Sequence, residues 1–150
     1  MIKKFSFLIL CFLILSSCGY KPIYSTKNFN FTIGKIEKSN TSLNNKFAKK
    51  INNLKNKKTD KKIDIKIQSN KEIEIKSKDT KGNALVYELK IILNVSNLNT
   101  NNGKEQSFLE KITYKNSDDK FKLKQYVDGL EDILITRLVE DLMIYLSDIE

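Results

Sequence analysis

The sequence predicts an α+β domain in two layers, with two helices packed on one face of a four-stranded sheet in the order β-α-β-β-β-α. Two periodicities carry that expectation. Apolar residues alternate with polar ones in four separate segments, as half-buried strands require. Two further segments repeat them at spacings of three and four, as amphipathic helices do. Composition agrees: of 150 residues, 40% are hydrophobic and 30% charged, with only five glycines and one proline, so regular structure around a modest core is expected over a disordered chain.

In chain order, Phe29, Phe31 and Ile33 alternate and open the first strand. Gly34 breaks the phase, because Ile36 falls on the other parity, and a bulge or strand end is expected there. Ser39-Asn40-Thr41 supplies a cap for a helix whose apolar face is Leu43, Phe47, Ile51 and Leu54 and whose other face carries Lys46, Lys49, Lys50 and Lys57. A basic loop, Lys55 to Lys62, follows. Ile63, Ile65 and Ile67 alternate with polar residues, and Ile73 and Ile75 resume the same phase after Ser69-Asn70-Lys71; one long strand is expected in preference to two short ones. The polar loop from Lys76 to Asn83, with Gly82, then reverses the chain.

The cleanest alternation is Leu85, Tyr87, Leu89, Ile91, Leu93 and Val95. The stretch from Asn97 to Gly103 is rich in residues that tolerate positive φ and reads as a hairpin loop, with Phe108, Ile112 and Tyr114 on the returning strand. Ser117-Asp118-Asp119 caps a final helix of about 28 residues, roughly 40 Å long at 1.5 Å per residue. Its stripe runs through Val127, Leu130, Leu134, Leu138, Leu142, Tyr145 and Ile149, widened by Ile133, Ile135, Met143 and Leu146. Such a stripe could dock on a partner or a bilayer, but core is the expected role.

Residues 1–17 have a different character. Lys3 and Lys4 precede an apolar run from Phe5 to Leu15, too short for the roughly twenty residues of a spanning helix but suited to an export signal. Leu15-Ser16-Ser17-Cys18 then resembles the bacterial lipobox. That resemblance implies a signal peptide over 1–17, a diacylglyceryl thioether and N-acyl group on Cys18, a lipidated extended leader over 18–28 and one domain over 29–150. A core cysteine behind an ordinary signal is the competing reading. Cys11 leaves with the signal, so Cys18 has no disulfide partner and the fold must rest on its core. No other cofactor is expected.

Without Lys3 and Lys4, 25 basic residues face 18 acidic ones, a net charge of +7. Ten lysines stand against Glu37 and Asp60 between Lys35 and Lys62, whereas Asp118 to Glu150 holds nine acids against four bases. A basic and an acidic half suggest an oriented binding surface, with anionic lipid or glycolipid phosphate a better partner than nucleic acid for an exported chain. The competing reading is a solvated face. Catalysis is not expected, because the chain has no His, Cys18 would be acylated, and no Gly-rich phosphate loop is present. Metal binding is not expected either. The pairs Glu131-Asp132 and Glu140-Asp141 diverge by about 100° on a helix and cannot share a substrate atom.

The segment Cys18-Gly19-Tyr20-Lys21-Pro22-Ile23-Tyr24 resembles the opening of the mature LptE-family lipoproteins, which commonly read Cys-Gly-aromatic-x-Pro-aliphatic-Tyr. The element order, and Tyr114 to Ser117 leading into a long last helix, are similar too. The resemblance implies an outer-membrane lipoprotein on the periplasmic side. It would plug an LptD-type barrel and assist lipopolysaccharide delivery, with Gly19 permitting outer-membrane sorting. It also implies basic residues near one end of the sheet that bind lipopolysaccharide phosphate. Candidates are Lys76, Lys78 and Lys81 before the best strand and, secondarily, Lys120 and Lys122; a solvated role competes for each. Two other readings stay open: a lipoprotein that binds another envelope protein or lipid, and a surface protein using the basic helix Leu43 to Lys58 on anionic membranes.

Overall fold

The computed structural model describes residues 29–54, 59, 61–99 and 105–149. The expectations for the signal, Cys18 and the leader, and part of the basic loop, lie outside the described residues. Within them the expected order is found: β1 (Thr32–Lys38), α1 (Ser42–Asn53), β2 (Lys62–Lys78), β3 (Ala84–Asn97), β4 (Glu105–Lys115) and α2 (Lys120–Asp148). The sheet order is β1-β2-β3-β4. β1 and β2 run parallel, with α1 as the crossover that parallel pairing demands, and the other pairs are antiparallel hairpin neighbours.

Period-two alternation places one set of side chains under the helices. Phe31, Ile33, Ile63, Ile65, Ile67, Leu89, Ile91, Leu93, Val95 and Tyr114 are buried there with Phe47 and Ile51 of α1 and the inner face of α2. Full burial of such a side chain contributes about 1.5–3 kcal/mol. The expected irregularity near Gly34 is real: the β1–β2 register shifts between Ile33 and Ile36. A Cβ at Gly34 would collide with Asp64 Oδ1, the atom that accepts the Lys35 N–H at 2.6 Å. Close approach, not turn geometry, explains that glycine.

α1 starts where Thr41 accepts the Asn44 N–H on its side chain, as the cap signal predicts. Asn44 itself is buried, which the pattern did not mark. Its Nδ2 donates to Ser39 Oγ at 2.7 Å, and its Oδ1 accepts from Ser69 N at 2.9 Å and Ser69 Oγ at 2.6 Å. It therefore closes the backbone of β2 at the point where β1 ends.

Several details depart from the sequence expectation. Leu54 is 42% exposed, because α1 ends at Asn53 and Leu54 only caps it. Ile133 is exposed, whereas Val139 and Glu131 are buried. The inner arc of α2 widens on the flank of Glu131, Ile135, Val139 and Met143, so Ile133 falls on the opposite flank. Ile149 lies past the last helical residue and is exposed.

The largest departure concerns lengths. β2 has 17 residues, about 56 Å at 3.3 Å each, against seven in β1 and an α1 of about 18 Å. β1 pairs with β2 only from Lys62 to Ile67. The two helices therefore do not cover every apolar stripe: Ile73, Ile75 and Leu85 lie past the cover and are about half exposed.

Replacing Phe47 by Ala is expected to cost about 3–5 kcal/mol and Asn44 by Ala about 1–3 kcal/mol, whereas Ile133→Ala should stay within about 0.5 kcal/mol. Urea unfolding followed by circular dichroism measures all three.

Candidate functional site

The overrun of β2 creates a second end to the domain, beyond α1, built from the β2–β3 turn, the close of β4 and the first turns of α2. Asp79 organises the turn. Its Oδ1 accepts the backbone N–H of Lys81 and of Asn83, both at 2.8 Å, and its Oδ2 accepts Asn83 Nδ2 at 2.9 Å. These bonds, led by the Asn83 side chain, hold the carboxyl below its ordinary value. Gly82 takes φ +86, which a side chain would strain.

Asn116 ties this turn region to α2. Its N–H donates to Leu85 O and its Nδ2 to Ala84 O, both at 2.8 Å, while its Oδ1 accepts from Lys120 Nζ at 3.2 Å. The five lysines expected from the sequence therefore converge on one end, though not in one electrostatic state. Lys76 lies on the helix-free face, held by Glu88 at 2.8 Å and Glu74 at 3.2 Å; the Glu88 bond first, then Glu74, raises its pKa. Lys122 pairs with Asp119, the α2 cap, at 3.3 Å. Among the described residues, Lys120 Nζ bonds only neutral oxygens, those of Asn116 and Ser117. Lys78 and Lys81 form no ion pair with any described residue and are exposed.

Two further lysines join them. Lys115 sits opposite Val86 at the end of β4, and Lys124 follows one turn into α2. The place of Lys115 is not legible before the β3–β4 register is known, whereas Lys124 follows from helical spacing to Lys120. Apolar side chains are also exposed at this end: Phe121 is 70% and Tyr126 55% exposed in the first turns of α2, and Ile73, Ile75 and Leu85 are about half exposed on the sheet. The end is thus amphipathic, with cations that can donate to phosphate oxygens around side chains that can meet hydrocarbon.

The basic and acidic halves of the sequence do not form opposed surfaces, because α1 and α2 meet. Glu131, only 5% exposed, accepts Lys46 Nζ and Lys71 Nζ, each at 2.7 Å, and Lys46 also reaches Asp132 at 3.5 Å. Burial pushes the Glu131 carboxyl up, but the two ammonium bonds outweigh it and hold it below its ordinary value. Beside this junction, Lys46, Lys49, Lys50, Asn53, Asp132 and Ile135 line an open cleft of about 300 Å³.

No protein-family model matches the sequence, and no curated protein does either. Solved structures do match the fold. It is similar to the minor lipoprotein of Acinetobacter baumannii (TM-score 0.56, 10% identity, 80% of this chain and 92% of that one). It is similar to lipoprotein B of Nitrosomonas europaea (0.55, 13%, 79% and 86%). It is also similar to rare lipoprotein B of Shewanella oneidensis (0.53, 14%, 78% and 98%). The fold is one that bacterial lipoproteins adopt, and at these identities the likeness concerns the fold alone.

The Glu131 junction has a pH signature. A carboxyl lowered in the folded state contributes stability above its unfolded value of 4.5 and loses it as pH falls through the folded value. Glu131→Gln should therefore cost about 1–3 kcal/mol at pH 7. Its deficit should close on acidification below pH 4.5, read as converging melting temperatures.

Proposed function

We propose that this chain is an envelope lipoprotein, acylated at Cys18, that plugs an LptD-type outer-membrane barrel from the periplasmic side and assists lipopolysaccharide delivery to the surface. One observation carries the reading. The Cys-Gly-Tyr-Lys-Pro-Ile-Tyr opening at residues 18–24 precedes a domain whose fold bacterial lipoproteins share. The role is non-enzymatic. A rigid domain tethered by acyl chains, each methylene contributing about 0.8 kcal/mol, would stay at the membrane without a spanning helix. Among the described residues no helix is long and apolar enough to cross one.

The lysine-rich end supports a glycolipid partner. Lys78, Lys81 and Lys120 hold charge that no described carboxylate neutralises, and phosphate oxygens would accept charge-assisted hydrogen bonds from them. Lys76 and Lys122 enter this reading as weaker contacts, because each must leave a carboxylate to reach a ligand.

The barrel reading is tested by affinity isolation of the tagged whole chain from its own envelope. An LptD-type barrel in stoichiometric amount supports the reading. Its absence, or normal surface lipopolysaccharide after depletion, returns the chain to binding some other envelope protein or anionic lipid. Mass spectrometry of the mature N-terminus tests acylation of Cys18. With exposed pairs worth up to about 1 kcal/mol each, charge reversal of Lys78, Lys81 and Lys120 together should weaken lipopolysaccharide binding by roughly ten- to a hundredfold. The wild-type affinity should fall with added salt. An unchanged affinity in the triple variant removes this end from the reading.

A further inference from the structure

Beyond Ile67, β2 is an open edge. Ser69 N–H points away from β3, since it donates to Asn44 Oδ1 at 2.9 Å. Backbone direction alternates with a period of two, so the N–H and C=O groups of Lys71, Ile73 and Ile75 point the same way, into the space that β1 would fill if it were longer. No described residue bonds them. The side chains of Ile73 and Ile75, 49% and 50% exposed, stand beside these groups on the helix side. Unpaired donors and acceptors next to exposed isoleucines form a template for another strand.

We propose that this edge pairs with the same edge of a second copy of the chain, antiparallel, about a two-fold axis at Glu74. In that register Ile73 of one protomer lies opposite Ile75 of its partner, twice by symmetry, and Glu72, paired with Lys90 in its own copy, lies opposite the partner's Lys76, paired with Glu88 in its own, so existing unlike pairs continue across the axis. Sliding the axis to Ile73 would set Glu72 against the partner's Glu74 twice. Sliding it to Ile75 would bring the register irregularity between Ile75 and Ser77 into the centre of the ladder. The remaining like pair, Glu74 with the partner's Glu74, is offset by Lys76 at 3.2 Å within each copy. Asn44 and the bulge bound the ladder at either end, leaving about five residues a side. Stable interfaces bury roughly 1,200 Å² or more, so this dimer is weak and forms where copies are crowded. The inference does not rest on the barrel reading.

At the axis, Glu74 forms a non-hydrogen-bonded pair with its copy. The Cα separation there is about 4.5 Å, within disulfide reach. The whole chain carrying Glu74→Cys, extracted in detergent free of other envelope proteins, concentrated, oxidised and run without reductant, should give a dimer band. Wild type, which carries Cys11 and Cys18, and Gln68→Cys, on the same face of β2 but outside the ladder, should not give it. Adding Ile73→Lys should abolish the band. As a second readout, sedimentation of the detergent-extracted wild type should show a dimer at high concentration that Ile73→Lys loses. Equal cross-linking at Gln68→Cys and Glu74→Cys overturns the proposal, as does a wild type that stays monomeric at every concentration.

Discussion

A seventeen-residue β2 lies against a seven-residue β1 and a twelve-residue α1, and the rest of the molecule follows from that mismatch. A strand rises more than twice as far per residue as a helix, so α1 can roof only the first part of β2. α2, with 29 residues, spans about 43 Å, but it lies over β3 and β4. The uncovered remainder of β2 leaves half-buried isoleucines, an open backbone edge and room for a lysine-rich end. A β1 extended by a few residues would close the backbone edge, and a longer α1 would cover the isoleucines.

Where α1 does reach, a buried carboxylate fixes the three-way contact. Glu131 joins α2 to Lys46 of α1 and Lys71 of β2, and burial of the carboxylate makes both partners necessary. Lys46 and Lys71 are about 40% exposed, so their charges stay partly solvated while the carboxylate loses its water. Asn44 acts in the same region on the backbone, answering the Ser69 N–H where β1 stops. Together they end the closed half of the domain and begin the open half.

The outer face of the sheet has the opposite character. Lys76–Glu88, Lys90–Glu72 and Lys111–Glu88 form cross-strand pairs there, Lys76 also meets Glu74 along β2, and Glu88 is nearly buried between Lys76 and Lys111. The Lys76 hydrogen bond, ahead of the opposing effect of burial, holds the Glu88 carboxyl below its ordinary value. The carboxylates of that face are each held by a lysine, whereas the ammonium groups of Lys78, Lys81 and Lys120 at the amphipathic end meet no described carboxylate. A shared lipoprotein fold does not by itself bring a shared role. The proposed role rests on residues 18–24 and on the charge left unpaired at Lys78, Lys81 and Lys120.

By itself the sequence determined the six elements, their order, the Gly34 irregularity, the cap segments at 39–41 and 117–119 and most of the core, because local periodicity and capping are properties of neighbouring residues. It also carried the resemblances to a lipobox and to a lipoprotein family in residues 15–24, which lie outside the described structure. Only the tertiary structure decided which charges are free. Lys76 and Lys78 look alike in the sequence, yet one faces Glu88 across a strand and the other faces solvent. The same holds for Ile67 and Ile73, identical in phase but separated by the end of β1. Burial of Glu131 was likewise invisible, since its partners are 85 and 60 residues away. Register and element length settle such matters, and both are set by contacts between segments far apart in the chain.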